Sequence, residues 1–330
     1  MKDRFEFLRA MGENRRIDRI LIVTDDVAIY QSHMQKYFDY SAGTFFCESE
    51  ETVPDCLLDG KKESFTNYRI NIPLAGGREL SVVQPVAGNT PYRCYLERYG
   101  SGVMGLRELA SAEQWKLWKA HVRDEHIPVI ATQGDYGMTI DLRKELGCIM
   151  EILRDERADE KKPSARRIGQ VCISTDDIHR TAEDMVRLLG IGPWEIGHIN
   201  NRSADYLSAS NYRPENFPKA DFLAGIAFYG DLEFELIQPL EGPLPYFDFL
   251  SRHGVGFQHI KEILTPTMWD ETNRHYQSLG VPLALGGKVG PCSFANLGTE
   301  PLLGFVYELG DGVSMTSLPE GYDPYMYPTE

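Results

Sequence analysis

The chain is short of cationic side chains: 34 Lys and Arg stand against 49 Asp and Glu, a formal charge of −15 at pH 7. A field of that sign repels polyanions, so nucleic acid is excluded as the expected partner, while a small anion held by local arginines is not. No run approaches the roughly 18 uninterrupted apolar residues of a membrane helix. The opening MKDRFEFLRAMGENRR lacks the apolar core of a targeting signal. A soluble, cytoplasmic protein without a membrane partner is the expectation. Six cysteines in 330 residues (Cys47, Cys56, Cys94, Cys148, Cys172 and Cys292), none in CxxC spacing, exclude a disulfide framework or a zinc knuckle and fit reduced, mostly buried thiols.

What is present is a core and a repeat. With 42% hydrophobic residues, 330 residues suffice for two domains of about 150 residues each. RRIDRILIVTDD (15–26) returns as RRIGQVCISTDD (166–177), an offset of 151. ELSVVQPV (79–86) returns as EFELIQPL (233–240) at 154, and the same offset pairs Pro91-Tyr92 with Pro245-Tyr246, Trp115 with Trp269, and Ile127-Pro128 with Val281-Pro282. GCIMEIL (147–153) returns as GFVYELG (304–310) at 157, so small insertions separate collinear copies. The charged, Pro-containing stretch 153–167 has the composition of an exposed linker, which sets the expected domains at 1–158 and 159–330.

Within the second copy, 168–174 reads as a strand and 176–190 as a helix with Asp176 and Asp177 at its start, where a capping acid is favoured. Short strands follow near 192–199, 223–230 and 231–239, the last two joined through the hairpin signal Gly230-Asp231. A second cycle comprises strand 257–263, helix 266–279 ended by Gly280, and strands near 282–286, 291–297 and 302–309. The order is βαβββ, twice: an α+β protein.

Two βαβββ modules per copy, together with LLGIGPWEI (188–196) and ELIQPLEGPLPYFDFLSRHGVGFQHI (235–260), resemble the vicinal oxygen chelate superfamily, which includes lactoylglutathione lyase, methylmalonyl-CoA epimerase, extradiol dioxygenases and bleomycin-resistance proteins. The resemblance spans nearly the whole chain, is most specific in the second copy, and lies nearest the epimerase and lyase branches. It implies that paired modules form a cupped, incomplete barrel holding one divalent metal, with a ligand on the first and last strand of each module. Carried over by position, the implied ligands are Gln170, Glu235, His259 and Glu308. Gln170 departs from the epimerase branch, which carries histidine there, but a Gln, Glu, His, Glu order is similar to animal-type lactoylglutathione lyases. The offsets map these positions onto Arg19, Ser81, Gly105 and Glu151 in the first copy. Three of those cannot chelate, so the first copy is expected to be metal-free, its cup filled by an Arg19–Glu151 salt bridge.

Alone, a histidine in an apolar strand such as FQHIKEI is more often a satisfied core residue than a ligand. Glu235 and Glu308 interrupt apolar strands, where an unpaired buried carboxylate costs several kcal/mol. They need a cation or a wet edge. Alternation puts Glu233, Glu235 and Ile237 on one face of their strand and Phe234, Leu236 and Gln238 on the other, which makes Glu233 the rival ligand. His253 reads as a loop residue; His179, His198 and His275 lack partners at ligand spacing. Trp115 and Trp269 read as packing anchors, and the tail EGYDPYMYPTE as a packed-down extended end.

Two carboxylates, an imidazole and an amide oxygen suit Zn, Co, Ni, Mn or Mg. Such a site polarises a carbonyl and favours the enolate that follows proton loss from the neighbouring carbon. Glu308, as the last-strand carboxylate, or else Glu235, would carry the proton. The expected function is therefore a divalent-metal isomerase, epimerase or lyase acting on a small carbonyl substrate, whose identity, including any CoA or glutathione portion, the residues leave open. Homodimer formation is left open as well. The alternatives are an extradiol-type dioxygenase using Fe, against which Gln170 at the first-histidine position speaks, and a metal-free sequestering protein.

Overall fold

A computed structural model of the chain describes residues 5–74, 77–155, 168–312 and 319–329. After a short helix α1 (Glu6–Met11), the first half runs β1 (Arg16–Val23), α2 (Val27–Phe38), β2 (Thr44–Ser49), β3 (Cys56–Leu58), β4 (Thr66–Pro73) and β5 (Glu79–Ala87). It continues through α3 (Pro91–Tyr99), β6 (Gly102–Ala110), α4 (Ala112–Asp124), β7 (Val129–Gln133), β8 (Gly137–Leu142) and β9 (Cys148–Arg154). The second half repeats the plan: β10 (Ile168–Ser174), α5 (Ile178–Asp184), β11 (Trp194–Asn200), β12 (Tyr206–Ser208), β13 (Asp221–Tyr229) and β14 (Leu232–Glu241). It closes with α6 (Pro245–His253), β15 (Gly256–Ile263), α7 (Pro266–Ser278), β16 (Leu283–Val289), β17 (Cys292–Leu297), α8 (Glu300–Leu303), β18 (Val306–Gly310) and β19 (Tyr325–Tyr327).

Each half forms one curled sheet. Strand orders are β2-β4-β5-β1-β6-β9-β8-β7-β3 and β12-β16-β17-β18-β15-β10-β14-β13-β11-β19. In both, the first strands of the two modules lie antiparallel at the centre (β1 with β6, β10 with β15) and each pairs in parallel with the last strand of its own module. That is the tandem α+β architecture expected of paired βαβββ modules. The anticipated boundary between residues 158 and 159 lies outside the described residues.

Local sequence accounts for the elements. Asp26 and Asp177 cap α2 and α5, accepting bonds from backbone N–H groups of the first turn. Gly230, at φ 60°, makes the tight turn that pairs Tyr229 with Leu232 in the β13–β14 hairpin. Along β14 the alternation holds: Phe234 and Leu236 enter the core, Gln238 accepts from the Ile178 N–H, and Glu233, Glu235 and Ile237 line the cup. The helix expected over 176–190 is α5 followed by a π-helical turn, Met185–Leu189. His253, read as a loop residue, sits in the last turn of α6, stacked on Phe249 at 4.7 Å, because Pro245 starts a helix there that the apolar spacing conceals. The tail is tied down as β19 against β11. Trp115 is buried and Trp269 packs against the core edge. Among the described residues, no helix is long and apolar enough to cross a membrane.

The halves share one apolar core, clamped by a buried ion pair. Arg15 reaches Glu108 through two bonds of 3.1 Å and donates to the Leu189 carbonyl at 2.6 Å, across the two halves. Glu108 also accepts from Trp118 Nε1 at 2.9 Å and from the Tyr229 hydroxyl. Both ends are inaccessible, with side-chain exposures of 3% and 0%. Arg15→Met therefore leaves a buried carboxylate without its cation and is expected to lower stability by about 3 kcal/mol. Equilibrium denaturation checks this, and a change within about 0.5 kcal/mol would refute the clamp.

Candidate metal centre

The antiparallel pairing of β10 with β15 sets Cys172 opposite His259, and the parallel pairing of β10 with β14 sets Cys172 beside Glu235. Glu308 joins from β18, one rung along from the Val306 that pairs with His259. Three of the four expected residues thus meet: His259 Nε2 lies 3.0 Å from Glu235 Oε2 and 2.9 Å from Glu308 Oε2. Gln170 sits one rung away, opposite Glu233 and Lys261, and donates its amide to Glu233, while its Oε1 is buried without a hydrogen-bond partner. The rival Glu233 is turned toward Gln170 rather than toward His259.

These contacts do not form a hydrogen-bonded set. His259 Nε2 and Glu235 Oε2 are buried with no aligned hydrogen bond to any neighbour. The other ring nitrogen, Nδ1, lies 2.7 Å from Gln258 Oε1. An amide oxygen only accepts, so Nδ1 carries a proton, and Nε2, at the point where the carboxylates converge, is the nitrogen that would lose its proton to a bound cation. Ligands in cis positions on a cation with bonds of about 2.1 Å are about 3 Å apart, which is the spacing found here. Burial disfavours a proton on His259, yet Cys172, Glu308 and Glu235 outweigh it and push the imidazole well above its ordinary range. The cup calls for positive charge, and the residues fit a divalent ion.

Sequence reasoning missed two members of the cup. Cys172 brings Sγ within 4.8 Å of the Glu235 and His259 ligand atoms; burial raises its pKa to about 12, so it is a neutral thiol in a cup without a cation. Lys261, two residues beyond His259 and on the same face, sends Nζ to Glu308 Oε1 at 2.8 Å. Burial alone would push Glu308 up; Lys261 and His259 overcome that and lower it to about 2. Glu308 is thus a fixed anion with 4% side-chain exposure, whereas Glu235 keeps 12%. The preference for Glu308 as the mobile carboxylate is not supported by this geometry, because an ammonium immobilises it. Alternation along FQHIKEI was the available signal for Lys261.

The cup opens into a cavity of about 1340 Å³ whose walls include Phe222, Ile226, Tyr246, Phe294 and Tyr322 together with Glu195 and Asp311. In the first half, the equivalent position to His259 is Gly105, where a Cβ would lie 2.2 Å from the Ile149 carbonyl oxygen. No side chain fits there without moving backbone. Ser81 is bonded to Arg69 and Asn71. The expected Arg19–Glu151 bridge does not form: the parallel rung puts Glu79 beside Arg19, which pairs with it at 3.0 Å, and Glu151 accepts from the Tyr92 hydroxyl instead.

Residues 169–261 match the model of the glyoxalase/bleomycin resistance protein/dioxygenase superfamily. The fold is similar to that of a triple mutant of 4-hydroxymandelate synthase from Streptomyces coelicolor, with a TM-score of 0.62 and 12% identity over 92% of this chain and 94% of that one. It is also similar to a xylose isomerase-like TIM barrel/4-hydroxyphenylpyruvate dioxygenase fusion protein, with a TM-score of 0.52 and 9% identity over 96% of this chain and 51% of that one. No curated protein matches significantly in sequence. Residues 169–261 thus carry the sequence signature of the glyoxalase/bleomycin resistance protein/dioxygenase superfamily, and the chain as a whole has a tandem vicinal-oxygen-chelate fold.

Proposed function

We propose that the second half is a divalent-metal enzyme that moves a proton on the carbon next to a carbonyl, as an isomerase, epimerase or lyase. The observation that carries this reading is the convergence of Glu235, Glu308 and His259 Nε2 on one buried point. His259, Glu308 and Glu235 would hold the ion, with Cys172 or the Gln170 oxygen completing the set. Bound there, the ion supplies Lewis acidity toward a substrate carbonyl. Gln258 fixes the His259 ring, and Lys261 fixes Glu308. Glu235, the less buried carboxylate, moves the proton through Oε1, the oxygen not turned to His259. The apolar, net-acidic cavity favours a substrate with an aromatic or branched apolar body and disfavours a phosphate-bearing carrier.

A panel of small aryl and alkyl ketones, keto acids and thioesters incubated in deuterated water without oxygen tests the reading. Deuterium is expected at the carbon beside the carbonyl of at least one compound, and Glu235→Gln is expected to slow this exchange by about 100-fold or more. Oxygen-dependent turnover with no exchange would overturn it. That outcome is the second reading, a dioxygenase, favoured by the likeness of the whole two-half fold to the dioxygenase-containing fusion protein. The donor set weighs against it, since the iron of such enzymes takes two histidines and one carboxylate.

A further inference from the structure

We propose that the first half's cup is a second ligand site, shaped for a small monocarboxylic acid that also carries a hydroxyl or amino group. This cup retains a cavity of about 330 Å³, at the small end of ligand pockets. Three guanidinium groups line it: Arg19, Arg69 and Arg107. Two are spoken for. Arg69 bonds to Glu48 at 2.6 Å, Ser81 at 2.6 Å and Tyr92 at 3.0 Å. Arg107 grips Asp18 through both Nε and a terminal nitrogen.

Arg19 is different. It donates to Glu79 through Nε, and its terminal nitrogens have no acceptor among the described residues. Its surroundings make that costly: burial, then Arg107 and Arg69, disfavour its charge. Asn67, 2% exposed on the same wall, has an Oδ1 that accepts no hydrogen bond. One cavity therefore presents a half-buried guanidinium whose terminal nitrogens have no protein acceptor among the described residues and a buried acceptor that no protein donor answers. A carboxylate answers Arg19 and a hydroxyl or amine donor answers Asn67. Val53, Leu58, Phe65 and Met138 supply an apolar wall for the skeleton between them. Gly105 and Ser81 deny the same cup a metal, so its ligand is held by charge and hydrogen bonds alone.

The test uses the full chain and 3-fluoro-4-hydroxybenzoate, followed by fluorine NMR, beside the corresponding benzamide. Saturable binding of the acid is expected, with the amide weaker by about 10-fold or more. Arg19→Gln should lose the same factor, and His259→Ala, in the other cup, should leave the acid's affinity unchanged. Absence of saturable binding, equal affinity for acid and amide, or loss of binding in His259→Ala would each overturn the proposal. Should Arg19→Gln fail to fold, the acid-to-amide ratio measured in His259→Ala decides: a ratio near one refutes the site, and a retained ratio supports it.

Discussion

Full-length His259→Ala is expected to carry less than about a tenth of the metal of the parent chain, while its circular dichroism and elution volume stay unchanged. The imidazole supplies the one nitrogen ligand among the three converging groups, and without it only the carboxylates of Glu235 and Glu308 remain to hold an ion there. A lost ligand in a site of three or four costs orders of magnitude in affinity, because the remaining donors no longer surround the ion. Folding should survive, since the first half is built on the same strands with Gly105 at the matching place. Metal content equal to that of the parent, by elemental analysis, would mean that the ion is held elsewhere.

Lys261→Met is expected to have the largest effect on stability. Nζ is 2.8 Å from Glu308 Oε1, and removing it leaves a carboxylate of 4% exposure without its principal counter-charge. Breaking one side of such a pair costs about 3–5 kcal/mol. A divalent ion supplies the missing charge, so the loss should be greatest in chelator-treated protein and partly restored when metal is added back. Denaturation with and without chelator reads both quantities. An equal loss in the two conditions would indicate that Lys261 supports packing alone and does not share Glu308 with a cation.

The sign of the Glu308 shift also fixes a pH window. A carboxylate held at about 2 in the folded chain, below the usual value near 4.3, contributes stability that is complete above that value. This contribution fades as pH falls toward 2. Acid titration of the parent against Glu308→Gln should therefore converge only as pH falls to about 2.

Much of this architecture was readable from the chain because it was written twice. The offsets that align TDD with TDD and PY with PY place Glu235, His259 and Glu308 on three strands, and alternation turns each of them to the same side. What stayed hidden was lateral. Whether Gln170 or Cys172 stands beside Glu235 depends on the stagger between β10 and β14, and a slip of two residues keeps the same face while exchanging one donor for the other. Cys172 gave no signal, since a thiol in an apolar strand looks like core. Arg19 was assigned the wrong partner for the same reason: the first copy's register brings up Glu79. The Arg15–Glu108 clamp joins residues 93 apart in sequence, and no periodicity announces it.

The central claim is one divalent site in the second cup and none in the first. Anomalous diffraction from crystals of the full chain grown with Mn, Co, Ni or Zn, collected above and below the metal edge, tests it directly. One peak within bonding distance of His259 Nε2, Glu235 and Glu308, with no peak near Ser81 and Gly105, is the result predicted. A peak in the first cup, or none beside His259 at full metal occupancy in solution, would contradict it.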